Sequence, residues 1–351
     1  MKDSLIIHHA TTQLVKIPLK RPFVTHLHTV TAINAVKLTV TLANGMVGVG
    51  AATPNRVVTG DTLTSMKAIL DEVIIPQMTG MSLTHVEPLE NKLQGCIVGN
   101  SGAKAAFDIA VYDLLCQIYH VSLNHLLGGS KQSMATDYTI SIGERDQMVT
   151  DAQDLVKKGF TSLKIKIGNN PVEEDVATVT AIAQAVGPAI SLRLDVNQAW
   201  SYKQARRGLA SLAAAGLNIA FVEQPLPADQ LHDLAVLRQE SGLPIMLDES
   251  VFSPADALRA VSAHAADYIN IKLMKCGGIY QATKINQICE AAGVPCMVGC
   301  MIEAPESIAA AVAFANAHTN IRFIDLDSIY MINKDVDLGA VKRVGTHLWH
   351  A

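Results

Sequence analysis

Residues 163–168 read LKIKIG, and comparable runs follow at 192–198 (LRLDVNQ), 221–225 (FVEQP), 245–250 (IMLDES) and 269–275 (INIKLMK). Each is a short apolar segment carrying one acid or base at its end: Lys166, Asp195, Glu223, Asp248 and Lys272. The steps between these charges are 29, 28, 25 and 24 residues, a length that suits one strand plus one helix. In a parallel barrel built of such units the strand ends gather at one rim, so the five charges are predicted to converge there. Two lysines and three carboxylates in one mouth point to proton transfer around a divalent metal.

The pattern extends in both directions from these runs. From Thr136 onward, strands are predicted to end near Ile142, Ile167, Val196, Glu223, Leu247, Lys272, Gly299 and Asp325. Between them lie segments with apolar residues at helical spacing, including 146–160, 202–217, 254–266 and 280–293. Parallel strands require such crossovers, so eight strands in this alternation predict an α/β barrel over 129–327. Residues 1–128 read as a separate α+β module. It has β-rich stretches around AVKLTVTLANGMVGVG (35–50) with an Asn44-Gly45 hairpin signal, then helical sequence from 62 to 127. LLGGSK (126–131) is the expected hinge. Residues 328–351 hold no further barrel unit and are expected to return to the first module.

With 351 residues, 49% apolar and 17% charged, the chain has the composition of a globular enzyme of about two domains. A net charge of −4 without basic runs argues against nucleic acid as a partner. No apolar run reaches the roughly 18–20 residues of a membrane span. The opening MKDSLIIHHATTQLVKIPLK alternates like a strand and lacks the features of a signal peptide, so a soluble cytoplasmic protein is expected. Six cysteines without C-x-x-C spacing read as reduced core thiols. Even Cys296 and Cys300 would lie too far apart along a strand for an unstrained disulfide. No interface signature is visible, which leaves self-association into a homo-oligomer open.

Lys164 and Lys166 lie two apart and so share a strand face; their repulsion is expected to lower the pKa of at least one towards the range of a general base. Taken alone, the alternation also fits a solvated edge strand, but Leu163, Ile165 and Ile167 favour a buried one. Asp195, Glu223 and Asp248 follow apolar strands, where unpaired carboxylates are costly. Any one of them could serve an ordinary salt bridge; three in successive units favour Mg²⁺, with Asn197 and Glu249 as supporting groups. Lys272 should approach from a different side than Lys166, so that a proton can leave one face of a substrate carbon and return to the other. Asp325 and Asp327 in FIDLDS form a paired acidic face suited to an ammonium group, to helix capping or to a second metal.

Taken as a set, KxK, DxN, ExP, DES and NIKxxKxGG resemble the enolase superfamily, and within it the muconate lactonizing enzyme subgroup. The resemblance implies a modified TIM barrel, (β/α)7β, with an N-terminal α+β capping domain whose 20s and 50s loops cover the active site. It further implies Mg²⁺ on Asp195, Glu223 and Asp248, and a base pair of Lys166 and Lys272. Asp325 and Asp327 look like the mark of dipeptide epimerases, where the pair binds the free α-amino group. TDYTISIG, LKIKIG, INIKLMKCGGI and MVGCMIE look like L-Ala-D/L-Glu epimerases, which act on murein-derived dipeptides. By the same resemblance Thr136, Cys300 and Met301 line the pocket, and Lys164 faces the substrate. Two positions depart from the pattern. His28 stands where Glu-specific members carry an arginine, and Ala51 replaces a common glutamate in the cap. Arg56, in the neighbouring loop TPNRVVTGD, is a candidate replacement cation. Other activities of the same scaffold are N-acylamino acid racemisation, o-succinylbenzoate synthesis and cycloisomerisation. A non-catalytic metal-binding barrel is the reading of a different class.

Overall fold

The computed structural model describes residues 2–24, 29–129, 133–333 and 336–350. The chain opens with strands β1 (Ile7–Val24), β2 (Thr29–Leu42) and β3 (Val47–Ala52), paired antiparallel in the order β1-β2-β3. The expected Asn44-Gly45 turn joins β2 to β3, with the Asn44 side chain accepting from the Met46 N–H at 3.0 Å. Alternate residues of β2, Val36, Leu38, Val40 and Leu42, are buried beneath the helices that follow. The helix Ser101–Tyr119 lies directly on β3. A Cβ at Gly48 or Gly50 would come within 2.4 Å of the Ala110 carbonyl oxygen or 2.0 Å of the Ala106 one, so this closeness depends on glycine in the strand.

After a two-residue strand β4 (Met134–Ala135) come β5 (Tyr138–Ile140), β6 (Ser162–Lys166), β7 (Ser191–Asp195) and β8 (Ile219–Glu223). β9 (Ile245–Leu247), β10 (Tyr268–Ile271), β11 (Cys296–Gly299) and β12 (Ile321–Asp325) complete the set. β5 to β12 form one parallel sheet in sequence order, and a Thr136–Ile324 bridge draws its edges together. Between them run the helices 145–157, 172–186, 202–214, 231–240, 254–262, 279–291 and 305–317. Eight strands and seven crossovers, among the described residues, make the (β/α)7β barrel. Every strand ends within two residues of its expected position.

Inside the barrel, inward positions two apart along each strand stack in layers. One layer is apolar: Phe221, Met246 and Met297 with Tyr268 and Phe323, capped by the Arg193 guanidinium 5.0 Å from the Phe323 ring centre. This layer plugs the barrel core, and the charged layer lies beyond it at the C-terminal rim.

The chain end touches both modules. Ile332 bridges Leu19 of β1 and packs with Met331 against Ile33, Ala35 and Ala51, so Ala51 sits in an apolar cluster. The hairpin of β13 (Val341–Val344) and β14 (His347–His350) then pairs with β4, at the start of the barrel. Residues 130–131 of the expected hinge lie outside the described residues.

Candidate active site

Register brings the reacting residues together. Lys166 is paired with Asp195 across β6 and β7, and Asp195 with Glu223 across β7 and β8. Asp248 follows β9 and Lys272 follows β10, so all five residues lie at the same rim. A cavity of about 370 Å³ opens there, walled on the barrel side by Lys164, Lys166, Asp248, Lys272, Asp325 and Asp327. The cap supplies the facing wall from residues 29–34 and 53–63.

Lys164 is the hub of the charge network. Its ammonium lies 2.9 Å from Asp195 and 2.8 Å from each of Glu223 and Asp325, with all four side chains almost fully buried. Burial alone would lower its pKa, but Asp195, Asp325 and Glu223 outweigh that and hold it well above the ordinary value. The expected downward shift from lysine repulsion therefore fails at Lys164, because carboxylates surround it. Lys166 binds Asp195 at 2.5 Å and Asn197 at 2.8 Å. Lys272 binds Asp248 at 2.8 Å, and although burial opposes it, that carboxylate raises its pKa.

The three candidate ligands respond differently to burial. It pushes Glu223 up to about 7, helped by Asp195 and only partly offset by Lys164. For Asp195 burial is outweighed by Lys164 and Lys166, which bring it down to about 2. Asp248 is likewise held low, against burial, by Lys272 and Lys275. Glu249 is raised to about 7 by burial and by Asp248; Asn197 donates to it at 3.0 Å.

Several groups with a part in this network were not singled out from sequence. Asn270 donates to Glu223 at 2.8 Å, and the Lys275 ammonium lies 2.5 Å from Asp248. Asn270 lies on β10 two residues before Lys272, and Lys275 is the second lysine of K-x-x-K, so both signals were present. Arg193, two before Asp195, binds Asp137 at 2.8 Å. Glu303 is buried, raised to about 7 by that burial, and accepts from the Met301 N–H at 2.7 Å.

The remaining expected residues divide. Asp325, Asp327, Cys300 and Met301 line the cavity, as does Arg56 from an exposed position. Asp327 accepts from the Thr139 N–H at 2.7 Å and is raised to about 7 by burial and by Asp325. Thr136 is not on the wall: it is buried, and its hydroxyl accepts from the Leu326 N–H at 3.0 Å, leaving Thr139 to face the cavity. His28 lies outside the described residues. All six cysteines are free, though Cys96, Cys116 and Cys300 are only partly buried.

Among the described residues no group of three or more His, Cys, Asp and Glu closes around a common point in the way a bound metal would gather them. Lys164 instead neutralises the carboxylates. The donor set still fits a hard divalent cation. It offers three buried carboxylates, and Glu223 Oε2 and Asp248 Oδ1 meet only the ammonium groups of Lys164 and Lys275.

A capped (β/α)7β barrel with lysines and carboxylates at its rim defines a class, and comparison with known proteins agrees. Residues 8–128 match the mandelate racemase/muconate lactonizing enzyme N-terminal domain and residues 147–348 the enolase C-terminal domain-like model, so the chain belongs to that family. Among curated proteins it is 41% identical to the L-Ala-D/L-Glu epimerase of Bacillus subtilis, over 95% of this chain and 92% of the relative. The substrate-liganded structure of the L-Ala-D/L-Glu epimerase from Bacillus subtilis superposes with a TM-score of 0.96, covering 99% of this chain and 96% of that one. A dipeptide epimerase from Enterococcus faecalis, complexed with Mg and L-Leu-L-Tyr, gives 0.92 at 37% identity, covering 99% of this chain and 97% of that one.

Proposed function

We propose that this chain is a Mg²⁺-dependent dipeptide epimerase that inverts the α-carbon of the C-terminal residue, with L-Ala-D/L-Glu as its leading substrate. One observation carries the reading. Lys166 ends β6 and Lys272 follows β10, four strands on in a barrel of eight, so the two amines enter one cavity from opposite sides. A proton removed by one from the α-carbon can then be replaced by the other on the opposite face.

Asp195, Glu223 and Asp248 would hold Mg²⁺, which when bound offsets the negative charge that builds on the substrate carboxylate. Lys272 Nζ, held by Asp248, would exchange the α-proton on the face opposite Lys166 Nζ. Asn197 and Glu249 steady Lys166 from behind. Asp325 and Asp327, with Lys164 between Asp325 and the carboxylates, receive the dipeptide's free ammonium. Arg56 faces the acidic side chain, and Cys300 and Met301 complete the wall. The closeness to both an L-Ala-D/L-Glu epimerase and a structure holding L-Leu-L-Tyr makes the side-chain pocket the point at which specificity is decided.

In this reading residues 1–128 form the cap, 129–327 the barrel and 328–351 a closing segment. No described helix is long and apolar enough to cross a membrane. We read the chain as a cytoplasmic enzyme acting on a small-molecule dipeptide, without nucleic acid or membrane as partner. Incubation in D₂O with Mg²⁺ and a dipeptide panel tests the proposal. Deuterium should appear at the α-carbon of the C-terminal residue together with the second diastereomer. Absence of exchange on every dipeptide would refute it.

A further inference from the structure

Lys272 leads into a single helical turn, Leu273–Cys276, then Gly277 and Gly278, then the helix Ile279–Ala291. The cap grips this turn from three residues. Ser101 donates to the Met274 carbonyl at 2.8 Å, and Gln94 to the Gly277 carbonyl at 2.9 Å. Asp108 accepts from the Ile279 and Tyr280 N–H groups at 2.6 and 3.0 Å. A Cβ on Gly278 would stand 2.3 Å from the Asp108 carboxyl carbon, so the carboxylate occupies space that only glycine leaves.

Behind Asp108 lies Glu90, on the helix Val86–Gly95, with no exposed surface and with the Asp108 carboxyl and the Gln94 side chain as its hydrogen-bonding neighbours. Its carboxyl is within hydrogen-bonding reach of the Asp108 carboxyl. An ionised carboxylate can only accept, so in this dry joint Glu90 is satisfied by keeping a proton and donating it to Asp108. The other polar and titratable groups facing the pair are Gln94, Tyr112, Cys276, Tyr280 and Lys284, whose ammonium stands 4.0 Å above the Tyr280 ring centre.

We propose that Glu90 and Asp108 form a proton-sharing pair through which the cap positions the Lys272 turn, so that cap docking sets the placement of one of the two exchanging amines. This rests on the reading of Lys272 as an α-proton base. Burial supports the pair: it drives Glu90 well above the ordinary carboxylic range and Asp108 up to about 7. Because both folded values lie above the unfolded ones, protonation of the pair adds stability that is full below the ordinary carboxylic range and is lost as pH rises, through about 7 for Asp108.

The test follows α-proton exchange in D₂O from each diastereomer separately, with Mg²⁺ present. Lys272→Ala identifies the diastereomer whose proton Lys272 removes. Glu90→Ala and Asp108→Ala should slow that diastereomer about 10- to 100-fold more than the other, the scale of a misplaced base. Glu90→Gln, whose amide can donate to Asp108, should recover most of the rate. It should also flatten the fall in Tm between about pH 6 and pH 9 that the wild type shows. Equal slowing of both diastereomers, or Glu90→Gln as impaired as Glu90→Ala, overturns the positioning role. A Tm profile unchanged by Glu90→Gln overturns the shared proton. Wild-type protein that exchanges neither diastereomer refutes the epimerase reading and, with it, the positioning of a base; the proton-sharing pair is then judged on the Tm profile alone.

Discussion

Lys164→Met would remove the ammonium that Asp195, Glu223 and Asp325 share at 2.8–2.9 Å. At that separation and an effective dielectric of about 20, each contact is worth roughly 6 kcal/mol before desolvation. Deleting one partner of a buried ion pair costs about 3–5 kcal/mol net, because the remaining charges are stranded. Proton uptake limits the cost. Burial already holds Glu223 near 7, and with Lys164 gone it protonates more readily still. Its neutral form stabilises the fold at low pH, and that benefit disappears as pH rises through about 7. The expected loss is therefore nearer 3 kcal/mol at about pH 6 and nearer 5 at about pH 8, or roughly 4–7 °C in Tm for a chain of this length. Thermal melts in chelator at the two pH values would measure it, and added Mg²⁺ should restore more to the variant than to the wild type. A variant melting within about 2 °C of wild type at the higher pH, without metal, would refute the claim that Lys164 neutralises the carboxylates.

Three further perturbations separate the parts of the site. Arg56→Met should lower kcat/KM for L-Ala-L-Glu about 10- to 100-fold more than for L-Ala-L-Gln, the worth of one hydrogen bond between charged groups; equal losses would show that Arg56 does not read the side chain. Because Asp327 is raised to about 7 by burial and by Asp325, its charged form grows as pH rises through neutrality. KM for dipeptides should fall between about pH 6 and pH 8 in the wild type and stay flat in Asp327→Asn, with little effect of that variant on N-acylated substrates that lack an ammonium group. Gly299→Ala places a methyl 2.6 Å from Asn270 Oδ1 and 3.1 Å from Lys272 Cε. It should cut exchange at least about 100-fold while costing only about 1–3 kcal/mol of stability, as urea unfolding would report.

The barrel was legible because its signal is local and repeated. Each strand is buried on both faces and reads as an apolar run, and each helix shows a 3.6-residue stripe, so alternation alone gives parallel order. The positions of Lys166, Asp195, Glu223, Asp248 and Lys272 followed from the same repeat, since a residue at the end of a barrel strand has one place to go. Thr136 marks where that repeat stops being informative. It sits at the closure between β5 and β12, where its hydroxyl is used by Leu326, and no local pattern distinguishes a seam residue from a wall residue.

The amino-acid sequence by itself determined the architecture, the rim on which charge gathers and the chemical types available there, because these depend on periodicity and on which residues end each apolar run. Only the tertiary structure decided how those charges are paired. It set Lys164 among three carboxylates against the expected lysine repulsion, put Lys275 and Asn270 behind Asp248 and Glu223, and joined Glu90 to Asp108 beneath the Lys272 turn. Electrostatic energy depends on distance and burial, and residues far apart along the chain acquire both only when the barrel closes and the cap docks upon it.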